Sequence, residues 1–405
     1  MVVLTLAAAS VGSRLRGARA GFLAAVFVAT SGSVLWVTGP LTSDGIATAL
    51  AALAVAGALA YDDVPSPGRA FVVALALASA LAVKSLLLPA AVPVAIVLIR
   101  HRRSWHLVLA FSTGLALALL TSLPFGIADV WDQSVVYHLE AAGERMPGAN
   151  LRKIASTLGD RDAPLLVAGA IALGAGIVSA VRARRTRHAD GRGDLADVRL
   201  RLIGERLTGE RLIWVWWAAV LGILVLEHPL WRNHLAHLVV PSSLLVACGL
   251  DRAVERCLGV LQRAGVVVAL GITVVVGSYH VVHTSALLDP DSNSGVTAEA
   301  VRAVAELPPG AWAISDEPGI VWSAGRRTPA DLVDTSILRI ESGRLTTAGI
   351  AGEASVARVC AVVVWSHRFG DMEQLGPLLR RSGYELARQF DDVRRLWIRS
   401  TCRPG

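Results

Sequence analysis

Ten residues of this sequence could do chemistry together: Asp44, Lys84, Asp132, Tyr137, His138, Glu227, His228, Arg232, His234 and His237. Carboxylates can take a proton from a nucleophile, whereas arginine and lysine can hold a phosphate whose charge grows as it departs. One such residue means little. Ten that the hydropathy layout sends to one face of a membrane are more than packing requires. Arg232 has the strongest phosphate-ligand character, and Lys84, Tyr137, His138, His228 and His234 are the other substrate-binding candidates. Asp44 is the catalytic candidate. It stands in a short polar corner between two apolar runs, Leu35–Ala60, where an ionisable side chain is costly unless it meets water, a partner or a substrate. It can also be read as a helix N-cap, with Ser43-Asp44-Gly45 opening the next helix.

The elements that must position these groups are membrane spans. The 405 residues are 54% hydrophobic and 18% charged, too apolar for an ordinary soluble chain. The charges cluster between long Ala, Val and Leu runs. The formal net charge of +7 falls in short segments at span ends rather than in a patch interleaved with aromatics, so it sets topology and points to no nucleic-acid partner.

The chain opens on an apolar stretch, Met1–Val11, too short to cross a bilayer, followed by a basic cluster from Arg14 to Arg19. It is expected to be the tail of a span whose upstream part is missing. Gly21–Val37 should cross outward and Gly45–Tyr61 return. Ala70–Ile99 has basic residues at both ends, Arg69 and Arg100 to Arg103, so it should go out and come back as two short helices with Lys84 near the turn. Trp105–Leu123 crosses next and opens the polar segment Pro124–Asp162, in which Val130, Val135 and Leu139 suggest an amphipathic interfacial helix. Ala163–Val181 returns to Arg182–Arg211, a loop with nine arginines and the clearest cytoplasmic marker. Leu212–Leu226, Leu235–Leu250 and Gly265–Val282 complete about nine full spans plus the partial first one, within a transmembrane domain of residues 1–284.

Residues 285–405 read as a small soluble α/β domain on the extracytoplasmic side. Helical spacing over Val296–Leu307 stops at Pro308-Pro309-Gly310. Trp312–Ser315, Cys360–Trp365 and Leu396–Arg399 read as strands, and Met372–Arg381 as a helix ending at Gly383. Cys360 and Cys402 both fall here, so a disulfide between them is possible. The other two cysteines, Cys248 and Cys257, form no CxxC pair and no Cys/His zinc spacing, and no metal or cofactor is expected.

Three short motifs carry no chemistry. Gly174-Ala175-Gly176 lies inside a span and reads as close helix packing. Asp289-Pro290-Asp291 has the carboxylate spacing of metal-dependent sugar transferases, but reads as a proline turn on a face without nucleotide sugar. Ser242-Ser243 has no histidine and acid at a nucleophile's spacing.

The stretches Gly17–Pro40 with Thr42-Ser43-Asp44, Ala76–Lys84, and His228–Pro241 followed by an α/β tail resemble the polyprenyl-phosphate-dependent membrane glycosyltransferases of the GT-C fold. The similar branch contains protein O-mannosyltransferases and the lipid A aminoarabinose transferase. The resemblance implies an α-helical multi-span membrane protein in the cell envelope that takes a sugar from a polyprenyl-phosphate donor. The sugar would pass, with inversion, to a glycan, lipid or protein acceptor at the outer face of the cell membrane. It matches Asp44 to the acidic position after the third span, Lys84 to the lysine of the following hairpin, and Arg232 to the lipid-phosphate arginine. The family's principal catalytic acid lies in a first outer loop that this chain does not contain. A catalytically inactive relative that binds a lipid or partner enzyme is the alternative.

Overall fold

A computed structural model describes residues 1–39, 42–101, 103–136, 147–189, 209–256, 275, 277, 278, 282 and 294–403. The chain divides into two compact units, Met1–Trp131 with Glu144–Leu288, and Asp132–Gly143 with Asp289–Gly405.

The first unit is helical. Its helices are α1 (Val2–Arg16), α2 (Ala18–Thr30), α3 (Gly32–Thr38), α4 (Ser43–Asp63), α5 (Pro67–Val83), α6 (Ala91–Arg100), α7 (Ser104–Ser122), α8 (Ile127–Trp131), α9 (Pro147–Arg161), α10 (Ala163–Ala189), α11 (Gly209–Leu226) and α12 (Ala236–Arg256). Short 3-10 turns at Ser85–Ala90 and Arg232–Leu235 precede α6 and α12. Among the described residues, four helical segments are long and apolar enough to cross a membrane, Ser43–Asp63, Ser104–Phe125, Gly209–Leu226 and Arg232–Glu255. Two bent pairs raise the number to six if each is one span.

The bends explain why counting apolar runs gives more and straighter spans. The run Gly21–Val37 is broken at Ser31, where α2 and α3 diverge by 63°. Ser31 is extended there, and its hydroxyl accepts from the Val34 N–H and donates to Asp162. α9 and α10 turn by 102° at Asp162. The expected last span, Gly265–Val282, lies almost wholly outside the described residues.

Capping and small residues fix the neighbourhood of Asp44. Thr42, rather than Asp44, is the N-cap of α4, its side chain accepting from the Gly45 N–H at 3.4 Å. The Asp44 side chain is thereby free to turn inward, and the residue is buried. Gly45 admits α3: a Cβ there would lie 2.6 Å from the Val37 carbonyl oxygen, so only glycine lets the two helices meet this closely. Below that contact Ala47, Ala51, Ala54 and Ala58 run down the buried side of α4. The chain between α5 and α6 breaks at Lys84, the extended C-cap of α5.

Near the other end of α4 a second set of charges gathers. Arg14 pairs with Asp63 at 2.5 Å, Arg100 with Asp62 at 2.5 Å and Arg19 with Asp251 at 3.2 Å, while Arg16 meets Glu255 and Arg252 meets Glu210. Arg14, Arg16, Asp62, Asp63, Glu210 and Arg252 line a cavity of about 420 Å³. With a rise of 1.5 Å per residue, Asp44 and Asp63 are roughly 28 Å apart along the helix. Gly174 and Gly176 lie in α10 with nothing near their Cβ positions, so the close packing expected of them is not found.

The second unit is built on a four-stranded sheet of order β1-β2-β4-β3, with β1 Trp312–Ser315, β2 Val359–Val364, β3 Tyr384–Gln389 and β4 Arg395–Arg399. β1 is parallel to β2, and the remaining pairs are antiparallel. β2 is buried at every position, as a central strand covered on both faces must be. Helices Ser294–Ala305, Thr347–Ser355 and Leu375–Arg381 flank the sheet. Buried Asp316, after β1, accepts from the Trp365 and Ser366 N–H groups and the Ser366 hydroxyl, tying the ends of the two parallel strands together.

Cys360 and Cys402 are disulfide-bonded, and Cys248 is a free, buried thiol. The bond joins the central strand to the turn after β4 across 42 residues. Loop-closure entropy for that span is worth about 4 kcal/mol. Replacing both cysteines by serine should therefore destabilise this unit by up to that amount. Denaturant titration of the full chain followed by limited proteolysis reads the loss, and unchanged protease resistance would contradict it.

Candidate functional site

Five side chains of the first unit, from four segments, meet in one polar network. The Lys84 ammonium donates to Asp44 Oδ1 at 2.5 Å and to His234 Nε2 at 2.9 Å. His234 Nδ1 lies 2.7 Å from Glu227 Oε1, and His237 Nε2 lies 3.3 Å from Asp44 Oδ1. The other His237 nitrogen meets the Thr48 hydroxyl at 2.7 Å, and that hydroxyl also bonds the Asp44 carbonyl one helical turn back. Glu227, Lys84, His234, Asp44 and His237 thus form a continuous chain, with Thr48 at its far end.

Proton positions follow from donor rules. Lysine can only donate, so His234 Nε2 must accept and its ring proton sits on Nδ1, facing Glu227. Lys84 has three N–H bonds, two of which are used, and among the described residues the third has no partner. With 22% of its side chain exposed, the ammonium keeps one opening.

The remaining candidates divide. Arg232 opens the 3-10 turn that carries His234, but its guanidinium points to Asp160 of α9 at 3.8 Å and both side chains are largely exposed. His228 sits in the same connection, before a cis bond to Pro229. Asp132 belongs to the second unit, where Arg344 donates to it at 2.7 Å and holds its carboxyl below the ordinary range. The helix Ile127–Trp131 passes into a π-helical turn, Asp132–Val136, and the rest of the expected amphipathic helix, with Leu139, lies outside the described residues. Tyr137 and His138 lie outside the described residues, as do Asp289 and Asp291. The Ser242 hydroxyl accepts from Trp217 Nε1 and donates to the Leu238 carbonyl, the bonds of a packing residue.

Sequence reasoning missed Thr48, Asn150, Thr157, Arg161 and Asp162. The four-residue spacing of Asp44 and Thr48 was a usable signal, because it puts both on one helix face. Arg161, at the end of α9, stacks its guanidinium 4.6 Å over the Trp36 ring and is buried. It forms no ion pair among the described residues, and its Nη1 has no hydrogen-bond partner. Thr157, one turn earlier, is also buried with an unpartnered hydroxyl. α9 and α3 both pack against the 3-10 turn at Arg232–Leu235, which places the Arg161–Trp36 pair beside the turn that carries His234. Asp162, next in sequence, accepts from the Ser31 and Ser33 hydroxyls at 2.5 Å each.

No family model and no curated protein matches the chain. Among solved structures, the crystal structure of ArnT from Cupriavidus metallidurans bound to undecaprenyl phosphate is similar over 100% of this chain and 83% of that one. The TM-score is 0.54 at 12% identity. A likeness at that identity is one of fold, and the fold is GT-C-like: an α-helical multi-pass membrane protein with a small α/β region at its C-terminus.

Proposed function

We propose that this chain is a membrane glycosyltransferase that moves a sugar from a polyprenyl-phosphate donor to an acceptor on the outer face of the membrane. The observation that carries the reading is the Lys84 ammonium, two of whose three N–H bonds are used among the described residues. It is aimed by Asp44 and His234 and has one N–H left for an anionic oxygen. Such a group, held rigidly in a largely water-excluded site, stabilises charge that develops on a leaving phosphate and needs no reorganisation when the bond breaks.

In this reaction the acceptor hydroxyl oxygen attacks the anomeric carbon as its proton passes to the Asp44 carboxylate, and the sugar–phosphate bond breaks with its electron pair on the phosphate. Lys84 stabilises that charge. Arg161 and Arg232 supply further positive charge, and Asp44 orients Lys84 and the acceptor. The buried guanidinium of Arg161 supports the reading: its Nη1 has no hydrogen-bond partner among the described residues, and a buried donor left unsatisfied is costly unless a ligand accepts from it. The polyprenyl-phosphate donor is supported by the likeness in fold to an ArnT structure that was solved with undecaprenyl phosphate bound. The concentration of Arg14, Arg16, Arg19, Arg100 and Arg252 near the far end of α4 supports a cytoplasmic location for that end. The Cys360–Cys402 disulfide supports an oxidising, extracytoplasmic location for the second unit.

The test uses membranes containing the chain and a labelled polyprenyl-phosphate sugar. Label should move to an acceptor with release of the lipid phosphate, and Arg161→Met should slow transfer by about 10²-fold. Binding of the lipid without any turnover would instead establish the non-catalytic alternative.

A further inference from the structure

We propose that Asn150 is a positioning residue of this site, acting through the Glu227 turn to set the tautomer of His234 and the aim of Lys84. The inference rests on the transferase reading for its kinetic consequence only; its structural basis is independent.

α11 ends at Leu226 with carbonyls that no further helical turn can satisfy. The Asn150 carboxamide, from the first turn of α9, closes that end. Its Nδ2 donates to the Glu227 carbonyl at 2.7 Å and the Val225 carbonyl at 3.0 Å, with the Leu224 carbonyl at 3.4 Å. One side chain therefore fixes the backbone from the last helical turn to Glu227 itself.

The position of Glu227 matters because its carboxylate lies against His234. Oε1 is 2.7 Å from His234 Nδ1, within ion-pair distance but outside hydrogen-bond geometry, and Oε2 is buried without a hydrogen-bond partner. A carboxylate this close favours the proton on Nδ1 by its charge, and the proton on Nδ1 is what lets Nε2 accept from Lys84. If the turn moves by an ångström, the imidazole is free to carry its proton on Nε2. An N–H would then face the ammonium, and Lys84 would lose one of the two bonds that aim it. Besides Glu227, the described groups facing His234 are Lys84 and the stacked ring of His237, and neither can replace the carboxylate at Nδ1.

The experiment compares wild type, Asn150→Ala, Glu227→Gln and the double variant in the full-length protein. Asn150→Ala should lower kcat about 10-fold, because displacements of this size in a positioned group cost one to two orders of magnitude. KM for the lipid-linked sugar should change less than 3-fold. In the Glu227→Gln background the further kcat effect of Asn150→Ala should vanish, while the melting-temperature effects of the two changes add. A purely structural Asn150 would lower the melting temperature in both backgrounds and leave kcat per folded molecule unchanged, and that result overturns the proposal.

A second readout needs no turnover. In ¹⁵N-histidine NMR, with His234 assigned through His234→Gln, the wild-type ring should show a protonated Nδ1 and a bare Nε2, and Asn150→Ala should show both tautomers. An unchanged ring in Asn150→Ala also overturns it. Absence of transfer in wild type with the expected tautomer shift would refute the transferase reading and leave the positioning role standing.

Discussion

Lys84→Met should reduce sugar transfer by about 10²–10³-fold, the usual cost of deleting one rigidly held donor to a developing oxyanion. Methionine keeps much of the unbranched apolar stem, so α5 and the turn beginning at Ser85 should still pack. What disappears is the one charge that bonds both Asp44 and His234. The loss should fall on kcat more than on KM if Lys84 meets charge that appears only as the phosphate departs. Lys84→Arg should recover only part of the rate, because a planar guanidinium cannot reproduce the two divergent bonds of the ammonium. The assay is initial-rate transfer in membranes at matched protein levels. A Lys84→Met protein with wild-type turnover would mean that Lys84 serves only as the counter-ion of Asp44.

The largest stability effect is expected for Asp44→Ala, at about 3–5 kcal/mol, the cost of stripping one partner from a buried ion pair. The Lys84 ammonium at 2.5 Å loses its counter-charge, and the His237 ring at 3.3 Å loses its polar neighbour. Asp44→Asn should cost less, since an amide oxygen can still accept from Lys84, yet it should still impair transfer because the ammonium is no longer held by a charge. Thermal unfolding in detergent with the site empty measures the first effect. A variant as stable as wild type would show that the pair is hydrated and makes no net contribution. The Thr42 cap is untouched in either variant, so helix initiation at α4 should not contribute.

Much of this was legible in the sequence because the physics is local. Basic residues on both sides of Ala70–Ile99 required a turn, and the chain does break at Lys84. The polar corner after Leu35–Val37 located the start of α4, although Thr42 rather than Asp44 caps it. Strands β1, β2 and β4 showed as short apolar runs. β3 did not, because five of its six residues face solvent and leave no alternation to detect.

The site itself was only half visible. Asp44, Lys84 and His234 stood out as charges at span ends. Asn150 and Arg161 sat in a stretch that read simply as polar, and their partners are 75 residues later and 125 residues earlier in the chain. Nothing in local spacing encodes such distances. Arg232 stood out by residue type, and the structure sets its guanidinium 3.8 Å from Asp160, a neighbour that local spacing does not encode.

The peptide dipoles of α4 treat its two acidic ends unequally. Asp44, in the first turn, faces the positive pole and is held comfortably by the helix that carries it. Asp62 and Asp63 close the last turn, where the pole is negative and a carboxylate is unwelcome. The guanidinium groups of Arg14 and Arg100 are therefore what permits this helix to end as it does, and they tie its terminus electrostatically to α1 and α6.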